Sequence, residues 1–264
     1  VEADTLPVAV ARRPRGYVRV AGPDAEDYLQ RMLSNDVAAL EPGASCDALL
    51  LTAKARVIAP MRVVRRGDED FLLLTEPDLA ETLRDHLVAT RFAAKADIEL
   101  ENHTSTVVFG PGVEGVPTVD YGEPAVEVLD ASLEPTVDAE TLEAMRIEAG
   151  TPAWGKEIDE RVMPAEAGLV ERAVSLTKGC YPGQEPIARL HFRGHVNRAL
   201  RVLRIDGGAV PGPDAELRYG DKAVGRVTSA APTDGGVVAL AYVRVEVPEG
   251  ADLALGSSVA RPLD

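Results

Sequence analysis

Cysteine, aromatic residues and positive charge are all scarce in this chain. Cys46 and Cys180 are its only two cysteines in 264 residues, and they form no Cys-x-x-Cys pair. That excludes a disulfide scaffold and a cysteine-built structural zinc site. It also excludes a resident iron–sulfur centre, which normally needs about four thiolates. Lysine and arginine number 28 against 43 acidic residues, for a net charge of −15. Nucleic acid is therefore not the expected main partner, because phosphates are gripped by lysine and arginine. An anionic membrane is not expected either. No run approaches the ~18 apolar residues of a membrane span. Residues 1–14 hold acids and no long apolar stretch, so no secretory leader is read there and a cytoplasmic setting is the expectation. A nucleophile elbow, a phosphate loop and a dinucleotide fingerprint are missing too. His191 and His195 stand four apart, but the intervening Phe192-Arg193-Gly194 reads as a positively charged loop or strand entry, so no metal site is expected.

What is present is a hydrophobic fraction of 45%, enough for two or three folding units. A short strand is expected at 16–20. Asp24 then stands as an N-cap before Ala25, Tyr28, Leu29, Met32 and Leu33, a helical apolar stripe. Strands follow at 47–51, 57–64 and 71–74, a helix at 78–91, and strands at 98–100 and 106–109. This order indicates a ferredoxin-like α+β unit. Residues 110–124 read as a loop, 125–129 as a strand and 138–149 as a helix ended by Gly150. Residues 173–176 read as a strand. From about residue 199 short strands alternate with glycine and proline turns, the pattern of a small β-barrel. The expected division is therefore 1–198, two interwoven α+β units, and 199–264, a barrel.

The densest chemistry lies in Lys178-Gly179-Cys180-Tyr181-Pro182-Gly183-Gln184-Glu185. Two glycines let the backbone turn sharply and approach a ligand closely. A lysine two residues before a cysteine favours the thiolate. Cys180 and Lys178 are thus the candidate reactive pair. The plainer reading is a tight turn around a half-buried structural cysteine.

Three segments carry a family likeness: residues 146–157, which begin Arg146-Ile147-Glu148 and include Trp154; residues 164–169; and the octapeptide with its continuation through Arg189. Together with Leu33-Ser34-Asn35-Asp36-Val37 they resemble the aminomethyltransferase (T-protein) of the glycine cleavage system. Within that superfamily the Lys-Gly-Cys-Tyr-x-Gly-Gln-Glu order resembles the YgfZ branch, folate-binding proteins implicated in iron–sulfur cluster assembly or repair. The resemblance implies three units around a central folate-binding cavity, with tetrahydrofolate or a one-carbon derivative as cofactor. Iron–sulfur assembly proteins or client iron–sulfur enzymes are the implied partners. It also implies an activating aspartate on a strand of the first unit, yet no carboxylate occurs from Val57 to Val64, so ordinary aminomethyl transfer is in doubt.

A pterin wants flat apolar walls and a few placed polar groups. Trp154 and Tyr181 are candidate walls, although a lone tryptophan can equally be core. Gln184 belongs to the same turn. Glu148 and Glu185 are candidate acceptors for the pterin amino group, and Arg146, Arg189, Arg193, Arg198 and Arg201 candidate forks for the glutamate tail. Three functions stay open: a tetrahydrofolate-binding accessory protein for iron–sulfur clusters, a folate-dependent transferase or demethylase, and a folate-independent protein-binding module.

Overall fold

A computed structural model describes residues 9–207 and 209–263. The first unit is built from β2 (Gly16–Ala21), α1 (Ala25–Met32), β3 (Ser45–Leu51), β4 (Val57–Gly67), β5 (Asp70–Thr75), α2 (Ala80–Thr90) and β6 (Asp97–Glu101). Its antiparallel sheet runs in the order β3-β4-β5-β2-β6. Without the edge strand β3 this is the ferredoxin-like split β-α-β order expected from the sequence. Alternation puts Val18, Val20, Ala59, Val63, Phe71 and Leu73 on the face covered by the two helices. The apolar stripe of α1 supplies Ala25, Tyr28 and Leu29, and Leu33 follows into the same core. Tyr28 also donates its hydroxyl to the Leu87 carbonyl at 2.6 Å, so the two helices are joined by a hydrogen bond as well as by packing. Asp24 sits at the N-cap position but makes no side-chain cap; its carboxylate accepts from the Lys95 backbone N–H at 2.7 Å instead.

The second unit begins before the first. β1 (Ala9–Arg12) pairs with β7 (Ser105–Phe109), which continues through β9 (Ala125–Leu129) to β8 (Val116–Thr118). The chain leaves this sheet after β1, builds the whole first unit, and returns. β1 and β8 are strands that the sequence did not signal; β8 lies inside the stretch read as a loop. Arg15, on the turn linking the two sheets, makes a bidentate bond to Glu127 at 2.9 and 3.0 Å, and Glu127 is 1% exposed. Glu127 also accepts from the Ser105 hydroxyl. Burial works against both charges, but each holds its partner ionised, and the Glu127 carboxyl is kept below its ordinary range.

α3 (Ala139–Glu148) packs between this sheet and the barrel. Its N-cap Asp138 accepts from the Thr141 N–H at 2.8 Å, and Gly150 follows the helix with φ of 69°. Leu142 faces the second sheet, whereas Ala144 and Ile147 face Val238 and Leu240 of the barrel. The barrel is closed, in the order β10 (Arg198–Ile205), β13 (Gly236–Arg244), β12 (Lys222–Thr233), β11 (Glu216–Tyr219), β14 (Leu253–Leu255) and β15 (Ser258–Pro262). Closure removes the unpaired edges an open sheet would carry.

Two further elements correct the sequence reading. Residues 173–176 form no strand: α4 (Val170–Ala173) is a short helix, and the chain after it is held by the Ser175 N–H on the Ser34 carbonyl at 2.9 Å and by side chains, not by a ladder. Residues 184–193, part of which read as loop or strand entry, form α5 (Gln184–Arg193). Pro186 falls in its first turn, where no intrahelical N–H is required.

Leu73, fully buried beneath both helices, tests this packing. Leu73→Ala is expected to lower the free energy of unfolding by about 2–5 kcal/mol in urea titration.

Candidate functional site

The octapeptide is held in place by its lysine. Lys178 Nζ donates to the carbonyls of Gln30 at 2.6 Å, Leu33 at 2.7 Å and Asn35 at 2.7 Å. These lie at and just beyond the C-terminal end of α1, where carbonyls lack intrahelical partners and a cation is favoured. The same segment binds the chain entering the octapeptide. Ser34 Oγ donates to the Ala173 carbonyl at 2.6 Å and accepts from the Leu49 N–H at 2.8 Å. The Asn35 amide donates to the Asp47 carbonyl at 2.7 Å and the Arg172 carbonyl at 3.3 Å. Leu33-Ser34-Asn35 is thus a backbone-satisfying clamp joining two distant parts of the sequence.

Lys178 is buried, and desolvation brings its pKa down to about 8. The thiol within its electrostatic reach is Cys46, which burial pushes up to about 12. Lys178 is therefore committed to three carbonyls, not to activating Cys180, which is exposed. The lysine also lies 5.2 Å from the centre of the Tyr181 ring. Gly183 takes φ of 85° at the start of α5, and a Cβ there would lie 2.7 Å from the Thr52 carbonyl oxygen. Only glycine permits that approach.

A separate central cavity opens where the units meet. Trp154, Met61, Pro60 and Leu49 give it apolar walls, and Asp47, Arg62, Asp120 and Arg172 give it a charged edge. Strand pairing sets Asp47 opposite Arg62. Arg62 donates to Asp47 at 2.9 and 2.8 Å, and Arg172 bridges from Asp47 at 2.8 Å to Asp120 at 2.5 Å. Burial alone would raise the Asp120 pKa, but Arg62, Arg172 and Arg15 outweigh it and hold the carboxyl down at about 2. A carboxylate so held is a weak proton acceptor at neutral pH.

The residues singled out from sequence divide between places. Trp154 and Arg146 line the central cavity. Arg146 is, however, engaged by Glu143, Glu157, Ser229 and the Thr151 carbonyl, which leaves its fork committed within the protein. Tyr181, Gln184, Glu185 and Arg189 line a different, outer cleft along α5. Glu148 is exposed and lines none of the described cavities. Cys180 is exposed and lines neither cavity. Asp47, Arg62, Asp120 and Arg172 escaped the sequence reading. Their one signal was an arginine inside the otherwise uncharged run 57–64, where only a carboxylate had been sought. Among the described residues, no group of three or more His, Cys, Asp and Glu is placed to hold a metal ion, and no helix is long and apolar enough to cross a membrane.

This architecture, two interwoven α+β units and a barrel around a cavity, is the T-protein fold. A solved glycine cleavage system aminomethyltransferase T from Bartonella henselae superposes with a TM-score of 0.84, covering 98% of this chain and 85% of that one at 20% identity. The chain is 30% identical over 259 residues to a Klebsiella pneumoniae protein named tRNA-modifying protein YgfZ, spanning 82% of this chain and 79% of the relative. A protein of the same name from Escherichia coli O157:H7 is 28% identical over 269 residues, 85% and 81% of the two chains. No family model matches. The chain belongs to the YgfZ family.

Two measurements probe the site as built. Lys178→Met leaves three carbonyls unpartnered and is expected to destabilise by about 3 kcal/mol, with loss of amide protection at 30–36 in hydrogen exchange. Asp120 has its pKa depressed, so its ionisation stabilises fully above pH ~4 and that contribution disappears as pH falls through 2. The stability difference between wild type and Asp120→Asn should accordingly be constant from pH 7 to ~4 and shrink below it.

Proposed function

We propose that this chain binds a reduced folate in its central cavity and acts as a folate-dependent accessory to the assembly or repair of iron–sulfur enzymes. The observation that carries the reading is the composition of that cavity: one tryptophan and several apolar side chains beside an alternating acid–base edge. A pterin is flat, apolar on its faces and rimmed by donors and acceptors, so Trp154 would take a face and Asp47 an N–H edge. The residues present fit such a ligand in kind. The open space, about 70 Å³, is smaller than the ~300 Å³ at which ligand sites begin. Entry therefore requires the site to widen, and we assign that movement to Arg172, which bridges Asp47 and Asp120 across the charged edge. Membership of the YgfZ family and the T-protein fold support the same reading.

Binding without turnover is favoured over aminomethyl transfer. Asp47 and Asp120 are both ion-paired, and Asp120 titrates near 2. The relatives' name refers to tRNA modification. With a net charge of −15, this chain is ill suited to gripping tRNA phosphates itself. A role through an enzyme that performs the modification fits the charge better.

Trp154 is the only tryptophan and reports on the cavity. Tetrahydrofolate should quench its fluorescence saturably with Kd below ~100 μM, and Arg172→Ala should bind at least as tightly. No binding at that concentration would instead support a folate-independent module. Cys180→Ser should keep tetrahydrofolate affinity but fail to restore iron–sulfur enzyme activity in a deletion strain. Full restoration would remove the thiol from the proposal, and formation of methylene-tetrahydrofolate from an amine donor would favour the transferase reading.

A further inference from the structure

The outer cleft along α5 has no part in that reading and has a lining of its own. It is open to solvent and offers about 700 Å³ of space, within the range of small-molecule sites. Its floor is apolar: Met163, Pro186, Leu190 and the ring of Tyr181. Its helical wall carries Arg189 and Arg193, one turn apart and both exposed.

These two arginines stand out in the charge pattern. The chain carries 43 acidic residues against 28 basic ones, and most of its arginines are taken up by carboxylates or carbonyls. Arg15, Arg62, Arg146 and Arg172 each hold two or more partners. The side chains of Arg189 and Arg193, both within α5, make no ion pair or hydrogen bond among the described residues. Glu185 lies on the same wall and pairs with neither. In so acidic a protein, two free guanidinium groups on one wall of one cleft form a local excess of positive charge.

Tyr181, which lines the cleft, adds a second feature. It is 7% exposed, yet its buried hydroxyl has no hydrogen-bond partner. A buried hydroxyl without a partner is unfavourable and uncommon. The positive N-terminal end of the ten-residue α5 opens at Gln184 and Glu185, on the same wall.

We infer that the α5 cleft binds a small amphipathic organic anion, its apolar body on Met163, Leu190 and the Tyr181 ring and its acidic group between Arg189 and Arg193. Carboxylate and phosphate both match paired guanidinium forks. This site is independent of the central cavity: Tyr181 and Ile187 pack into a core cluster with Leu49, Ile158 and Leu169 that stands between the two.

The test is a titration of the whole chain with phenyl phosphate and with 3-phenylpropionate, followed by ¹⁵N–¹H NMR. The expected result is saturable shifts of amides in 184–193 with one or both probes, and no shift of the Trp154 indole. Response to one probe alone identifies the acid group the cleft prefers. Arg189→Gln with Arg193→Gln, two exposed and unpartnered positions, should weaken binding at least tenfold while leaving tetrahydrofolate affinity unchanged. The neutral 3-phenylpropanol should not saturate the cleft. The inference is overturned if neither anion shifts α5 at 10 mM, if the double variant binds as wild type does, or if the neutral probe binds equally well. Displacement of either anion by tetrahydrofolate would also overturn it. Because the central site is read through Trp154 and this one through α5, failure of either leaves the other standing.

Discussion

The ammonium of Lys178 and the three carbonyls it satisfies hold the functional half of this molecule together. Without that contact, the end of α1 would be left with buried carbonyls lacking donors, and the octapeptide would lose its polar anchor on α1. With it, Ser34 and Asn35 complete a clamp that fixes residues 172–178 against the edge strand β3. The position of Arg172 follows from this clamp, and so does the closed charged edge of the central cavity. The turn at Gly183, pressed against the Thr52 carbonyl, then sets where α5 begins. Two motifs far apart in sequence are in this sense one structural device.

That device separates two kinds of chemistry which the sequence places side by side. The octapeptide reads as a single reactive constellation, but the fold turns its lysine inward, its cysteine outward and its tyrosine toward α5. Trp154, by contrast, reaches the central cavity, where ion pairs hold every nearby carboxylate. Arginines that pin acids in a partly dry site suppress their use as bases while leaving them fit to orient a neutral ligand with donors at its edge. The balance tilts toward holding a ligand rather than transforming it.

Much of the fold was legible because its signals are local. The stripe of Ala25, Tyr28, Leu29 and Leu33, the alternation of 57–64, Gly150 after α3 and the strand-turn rhythm after 199 each report a period that burial enforces. What stayed hidden depends on partners remote in sequence. β1 is a strand only because β7 returns beside it, and β8 only because β9 does. α5 was masked by Gly183, which reads as a turn residue although it stands at the helix start, and by Phe192-Arg193-Gly194, which reads as a loop or strand entry. Asp47 and Arg62 become a pair only through register, and the carboxylate that faces 57–64 stands on the neighbouring strand. The site residues divided for the same reason: composition shows which groups are close in the chain, and tertiary contacts decide which face they share.

The most direct test of the account is a crystal structure of the protein grown with tetrahydrofolate. The pterin should lie against Trp154 within hydrogen-bond reach of Asp47, with the Arg172 side chain withdrawn from Asp120 and Lys178 unmoved on its three carbonyls. A pterin bound along α5 instead, or a central cavity that stays closed at saturating ligand, would contradict it.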